Sequence, residues 1–218
     1  MSRRQRKTDA TRESILAAAR EVLASDGAEA LSLSKVAHLA GVNRGTAYQH
    51  FRTREELIKA TVDWVSEHLS TKFGNIDVDS QGRDRPMYDV VTGLVDFAVE
   101  NPALGRIWLF EVLSSDNPGE DPFFRRFKTS TQQLADSEQS QLGIDAEVLS
   151  VIMLAGYFLW AEWTRVQAKT EAERKAMATR MRHEVLRLFL HGVLKPELFP
   201  QLKELLSEEV SSGEPAPD

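Results

Sequence analysis

The chain has 218 residues, enough to bury a sizeable core in one domain or two, and it carries a net charge of −6. It contains no cysteine, which excludes a disulfide framework and any thiolate metal site. The charge is unevenly spread: residues 1–54 hold ten Lys/Arg against five Asp/Glu, and residues 55–218 hold seventeen against twenty-eight. A basic head on an acidic body excludes binding to nucleic acid with the whole surface and suits a reader whose body stays off the phosphates.

In chain order, residues 2–7 (SRRQRK) form a basic arm, expected to be disordered in isolation. It either adds phosphate attraction, reaches a minor groove, or is simply a solvated tail. Met1 is followed by this arm and not by an apolar run, so no signal peptide is expected. A first helix is predicted over about 8–25, with Ile15, Ala18, Ala19, Val22 and Leu23 on one stripe and Asp26-Gly27 ending it. A second starts at the N-cap Ser32 and runs through Val36, Ala37, Leu39 and Ala40 to Gly41, which suits a helix C-terminus. Val42 plugs the angle, Asn43 caps a third helix over 44–51, and Thr53-x-x-Glu56 opens a fourth.

On the wheel of the third helix, Ala47 and Phe51 make one narrow apolar side, with Gly45, Thr46 and Gln49 opposite and Arg44, Tyr48 and His50 on the flanks. Gln49 can read base edges, and Thr46 and Tyr48 offer hydroxyls to phosphates. Gly45 costs about 1 kcal/mol of helix propensity, which close approach of the backbone to a phosphate or base offsets. A helix of this length fits across a major groove. The same spacing also suits a helical hairpin in an ordinary core.

The fourth helix, over about 54–73, turns Leu57, Ile58, Val62, Val65 and Leu69 inward and must connect head to body. Residues 74–85 are a polar, Gly-containing loop. Further helices are predicted over about 86–100, 102–114 (opened by Asn101-Pro102), 122–142 (opened by Asp121-Pro122), 146–167 (capped by Asp145) and 171–192 (opened by Thr170-x-x-Glu173), with a short one over about 196–210. The last residues, 211–218, read as a disordered tail. No β-alternation appears; the expected fold is all-α with nine or ten helices.

The run AGVNRGTAYQHFRTREEL, within the segment 11–57, resembles the DNA-binding domain of the TetR family of bacterial transcriptional regulators. The resemblance covers about residues 8–60. It implies a three-helix helix-turn-helix head (1–54) on a larger helical body (55–210) for effector binding and dimerisation. It places Arg44, Thr46 and Gln49 toward base edges and Tyr48, His50 and Arg54 toward phosphates, with Ser34 and Lys35 in support and Gly45 at the close approach. It further implies a homodimer on double-stranded operator DNA, formed through the helices over about 146–167 and 171–192, and repression rather than activation; a cytoplasmic location is expected from the lack of a signal peptide or spanning run.

The run 148–163 is apolar on every side, too short to span a membrane and interrupted by Glu162, so a helix buried all round is expected. One chain cannot cover that much apolar surface easily, which agrees with a two-fold dimer. The helix over 171–192 carries Met177, Met181, Val185, Leu188 and Phe189 on one face. Aromatics cluster in the body, and Trp108, Phe127, Tyr157 and Phe158 either pack the core or line a pocket with two acids, Glu111 and Glu162. A carboxylate on an apolar stripe must find a partner: an ion pair with Arg106 or Arg165, or a hydrophobic small-molecule effector. The five histidines show no metal spacing, and no cofactor is expected. With no nucleophile–base constellation or phosphate loop, an enzyme is not expected. The alternative to an effector-released repressor is a regulator of the same fold governed by abundance or a protein partner.

Overall fold

The first helix begins earlier than its apolar stripe. α1 (Arg3–Asp26) takes in the backbone of residues 3–7 of the basic arm, because nothing in RRQRKTDATRE breaks a helix and its Arg, Gln and Lys residues are good helix formers. The arm is therefore not the separate disordered tail expected of it. The computed structural model describes residues 3–27, 29–73 and 84–211; most of the polar loop and residues 212–218 of the expected tail lie outside them.

Gly27, at φ +81°, ends α1 in the left-handed region. α2 (Leu33–Leu39) and α3 (Arg44–His50) follow, then the 20-residue α4 (Arg54–Phe73). Ile15, Ala19 and Val22 of α1, Val36 of α2, Ala47 and Phe51 of α3, and Leu57 and Val62 of α4 form one hydrophobic cluster. From Val65 onward α4 packs into a second, larger cluster, and Trp64 touches both.

That larger cluster is built by α5 (Asp84–Glu100), α6 (Pro102–Ser114), α7 (Pro122–Ala135), α8 (Ala146–Gln167), α9 (Glu171–Leu188) and α10 (Pro200–Ser211). Ten α-helices, and no strand among the described residues, make the fold all-α as expected. Asp145 caps α8 through the amides of Glu147 and Val148, and Thr170 and Glu173 close a reciprocal box on α9.

α7 stops seven residues short of the expected end. Ser137 donates to the Leu134 carbonyl (2.7 Å) and Ser140 to that of Ala135 (2.8 Å), drawing away acceptors the helix needs. The chain then pairs at long range: the Gln141 amide donates to Val193 O and the Lys195 amide to Gln139 O, both at 2.8 Å. The C-terminal helix also starts later than expected, at Pro200, after a 3₁₀ turn over Pro196–Leu198.

α8 departs from expectation in a second way. Leu154, Tyr157, Phe158 and Ala161 are buried against α5, α6 and α7, but the opposite side is not covered within the chain. Val148, Val151, Ile152, Leu159, Trp163 and Val166 stand exposed, and so does Leu188 of α9. By length and composition α8 is apolar enough to cross a membrane; its inner face lies in the helical core.

Candidate nucleic-acid interface

The turn between α2 and α3 is fixed by local chemistry. Ser32 accepts from the Lys35 amide (3.2 Å) at the start of α2. At its end Gly41, at φ +67°, lets the Gly41 amide reach His38 O (3.2 Å) and the Val42 amide reach Ala37 O (3.0 Å). This is the paired bonding of a Schellman stop. Val42 is then half-buried in the angle, as expected.

Asn43 caps α3 twice over, accepting from the Thr46 amide (2.7 Å) and the Thr46 hydroxyl (3.0 Å). Ala47 and Phe51 are fully buried and pin the helix, which leaves Arg44, Gly45, Tyr48 and Gln49 exposed together, with Thr46 and His50 half-buried beside them. A methyl group on Gly45 meets only the Asn43 Oδ1 atom, at 3.3 Å, so the glycine leaves room for the cap as well as for a partner.

The basic and hydroxyl groups are partly engaged already. Arg44 reaches the Tyr48 hydroxyl (3.4 Å) and lies 5.4 Å from its ring centroid, so these two move as a pair. Lys35 pairs with Asp26 at 2.6 Å, and the ammonium holds the Asp26 carboxyl below the usual carboxylate range. Both partners are exposed. Ser34 is exposed one residue away. Arg54 is part-exposed: its Nε donates to Leu31 O at 3.1 Å, tying the start of α4 to the loop before α2, and its Nη1 lies 3.7 Å from the Glu55 carboxylate. The Glu56 carboxylate accepts from the Arg52 amide (2.7 Å) while Thr53 accepts from Glu56 (3.1 Å), closing the start of α4 as the sequence indicated.

Gln49→Ala should relax sequence preference, while Tyr48→Phe should weaken binding alike on every duplex. Titration of both variants against operator and scrambled DNA checks this; equal losses on all sequences refute the sorting of base from phosphate contacts.

In the body, Trp108, Phe123, Phe127 and Phe158 form one packed ring cluster, with Trp108 5.4 Å from Phe123 and 5.2 Å from Phe158. Tyr157 is buried next to Phe158 and faces a void of about 20 Å³ bounded by α5, α7, α8 and Phe189. Phe127 shares that void; Trp108, Phe158, Glu111 and Glu162 do not line it. Glu111 is half-buried on α6. Glu162 bonds Arg165 at 2.9 Å and lies 3.9 Å from Arg106, so both of its expected ion-pair partners are present. No group of His, Asp and Glu suited to a metal occurs among the described residues.

Two features were not read from the sequence. Asp121 caps α7 through the Phe124 amide (2.8 Å) and also accepts from Ser66 of α4 (2.5 Å) and Trp108 Nε1 of α6 (3.0 Å). Arg106 of α6 donates to the carbonyls of Leu23 and Ala24 at the end of α1. The cap was visible as Asp-Pro; the other contacts cross 13 to 83 residues of chain and leave no local signal.

Comparison with known proteins agrees with this geometry. Residues 15–61 match the model of bacterial regulatory proteins of the tetR family. The nucleoid occlusion factor SlmA of Vibrio cholerae is 26% identical over 152 residues, covering 66% of this chain and 78% of that protein. CprB from Streptomyces coelicolor, solved with its biological operator sequence, has the same fold (TM-score 0.60, 19% identity, 95% of this chain and all of that one). A gamma-butyrolactone receptor, ArpA-like, matches at TM-score 0.62 with 19% identity and the same coverage. The fold and family are those of transcription regulators rather than enzymes. The head, over residues 15–61, is thus that of the tetR family of bacterial regulatory proteins, and the chain as a whole shares the fold of solved proteins of that family.

Proposed function

We propose that this DNA-binding transcriptional regulator is a cytoplasmic repressor that leaves its operator when a mainly apolar small molecule enters the body. In this reading residues 1–54 read DNA, 55–210 bind effector and partner subunit, and 211–218 are a tail. The observation that carries it is the void beside Tyr157. Its wall is apolar (Met87, Val90, Leu94, Phe127 and Met153 among others) except for the phenol and the Thr131 hydroxyl, which is spent on Phe127 O. Burial pushes the Tyr157 pKa up from its ordinary value, so the phenol stays protonated as a donor for a ligand.

At about 20 Å³ the void holds roughly one water, so an effector binds an opened conformer and shifts the population toward it. α7 forms one wall, and its cap Asp121 is bonded to α4, the helix that enters the head. Release follows only if the opened body prefers a head geometry that fits DNA poorly. Two chains joined through the exposed faces of α8 and α9 set two copies of α3 against two half-sites.

Screening apolar compounds for release of a fluorescent operator duplex tests this reading. A releasing compound with an acceptor group should need about tenfold more with Tyr157→Phe. Release unaffected by that variant, or no releasing compound at all, sinks the effector site. The tight packing of the body favours a second reading, a regulator without an effector; the nucleoid occlusion factor among its relatives is consistent with that. Operator occupancy that follows protein concentration alone, unmoved by any compound screened, supports it.

A further inference from the structure

A separate cleft of about 530 Å³ opens where the end of α5 and start of α6 meet the end of α8 and start of α9. Its size falls within the range of about 300–1,000 Å³ typical of small-molecule sites. Its apolar lining is small: Val99, Pro102, Ala168 and Ala178. Six charged side chains also line it, and four are engaged. Asp96 bonds Arg182 (2.5 Å), Glu171 bonds Lys175 (2.6 Å), and Arg165 bonds Glu162 (2.9 Å). Two make no ion pair within 4 Å among the described residues: Glu100 at the end of α5, and Arg174 on α9, whose charge is felt by Glu171 across the same cleft.

We propose that this cleft binds a small aliphatic zwitterion of amino-acid type. Its carboxylate meets Arg174, its ammonium meets Glu100, and its side chain lies on the apolar lining. A simple anion is opposed by Glu100, Asp96 and Glu171, and a simple cation by Arg165, Arg174 and Lys175; a molecule bearing both charges satisfies both sides. The site is distinct from the void beside Tyr157, and binding here does not depend on the effector reading above.

The cleft also has a route to the head. Arg165 holds the Oε2 atom of Glu162, which Arg106 shares at 3.9 Å, while Oε1 is buried without a partner. Arg106 in turn grips the last carbonyls of α1. A ligand carboxylate seated on Arg174 that also reaches Arg165, in the same cleft, draws Arg165 from Glu162, and Arg106 then divides its donors between Glu162 and α1.

Isothermal titration of the full chain without DNA is the test, with leucine and leucyl-leucine as probes. The controls are 4-methylpentanoate, which lacks the amine, and 3-methylbutylamine, which lacks the carboxylate. Saturable binding of either zwitterion is expected, about tenfold or more weaker for both controls and for Arg174→Gln and Glu100→Gln. No saturable binding of either zwitterion at millimolar concentration overturns the site. So does equal binding of a control, or unchanged affinity in both variants. With Arg106→Met, binding should persist while any response of operator affinity to the ligand disappears; a response that survives overturns the route through Arg106.

Discussion

Replacing Leu159 and Trp163 together with glutamate is expected to split the protein into monomers and lower its operator affinity at least about a hundredfold. The two side chains are 66% and 58% exposed in the isolated chain, one turn apart on the outer stripe of α8. Burying each against a second copy contributes about 1.5–3 kcal/mol, and in the variant four carboxylates meet across the two-fold axis instead. A monomer presents one α3 to DNA, so the second half-site no longer counts as an intramolecular contact. Sedimentation velocity and gel-shift titration read the two effects separately. A monomeric variant with undiminished operator affinity ends the dimeric reading; a variant that stays dimeric moves the interface away from α8.

The second large effect is expected at Asp121. Asp121→Ala removes the cap of α7 and leaves the Trp108 Nε1 donor without its acceptor, a loss of about 2–4 kcal/mol. Asp121→Asn keeps one carbonyl oxygen for these donors and should lose about half as much. Because Ser66 of α4 shares the same carboxylate, the alanine variant should also weaken any response of the head to a change in α7. Chemical denaturation gives the ordering; equal stability of the two variants contradicts the shared role given to this side chain.

Most starts of these helices were legible from neighbours in sequence; Asn101 is the exception, since its side chain donates to Phe97 O and does not cap α6. Ser32, Asn43, Asp121, Asp145 and Thr170 each cap the helix they were expected to cap, because the amide that each bonds lies only two or three residues ahead. The end of α7 was not legible: its serines compete locally, and the segment after it is held by residues 193–195, more than fifty positions away. The head shows the same division. That Ala47 and Phe51 face inward follows from the wheel, so the exposed set around Tyr48 and Gln49 was foreseeable. That Arg54 turns to Leu31 O and Lys35 to Asp26 depends on how α1 and α4 cross, which periodicity does not encode. The aromatic residues of the body were visible as composition, whereas their tight closure is a matter of tertiary packing.

The hold of Arg106 on the end of α1 has a mechanical meaning. That helix is a rod of 24 residues, about 36 Å long, packed into the head's core over residues 15–23 and gripped by Arg106 at its end, so that the head turns with it. Tilting the clamp by about 5° swings the opposite tip, where the chain's densest positive charge begins, through about 3 Å. Sub-ångström adjustments deep in the trunk are thereby magnified into displacements comparable to the reach of a hydrogen bond.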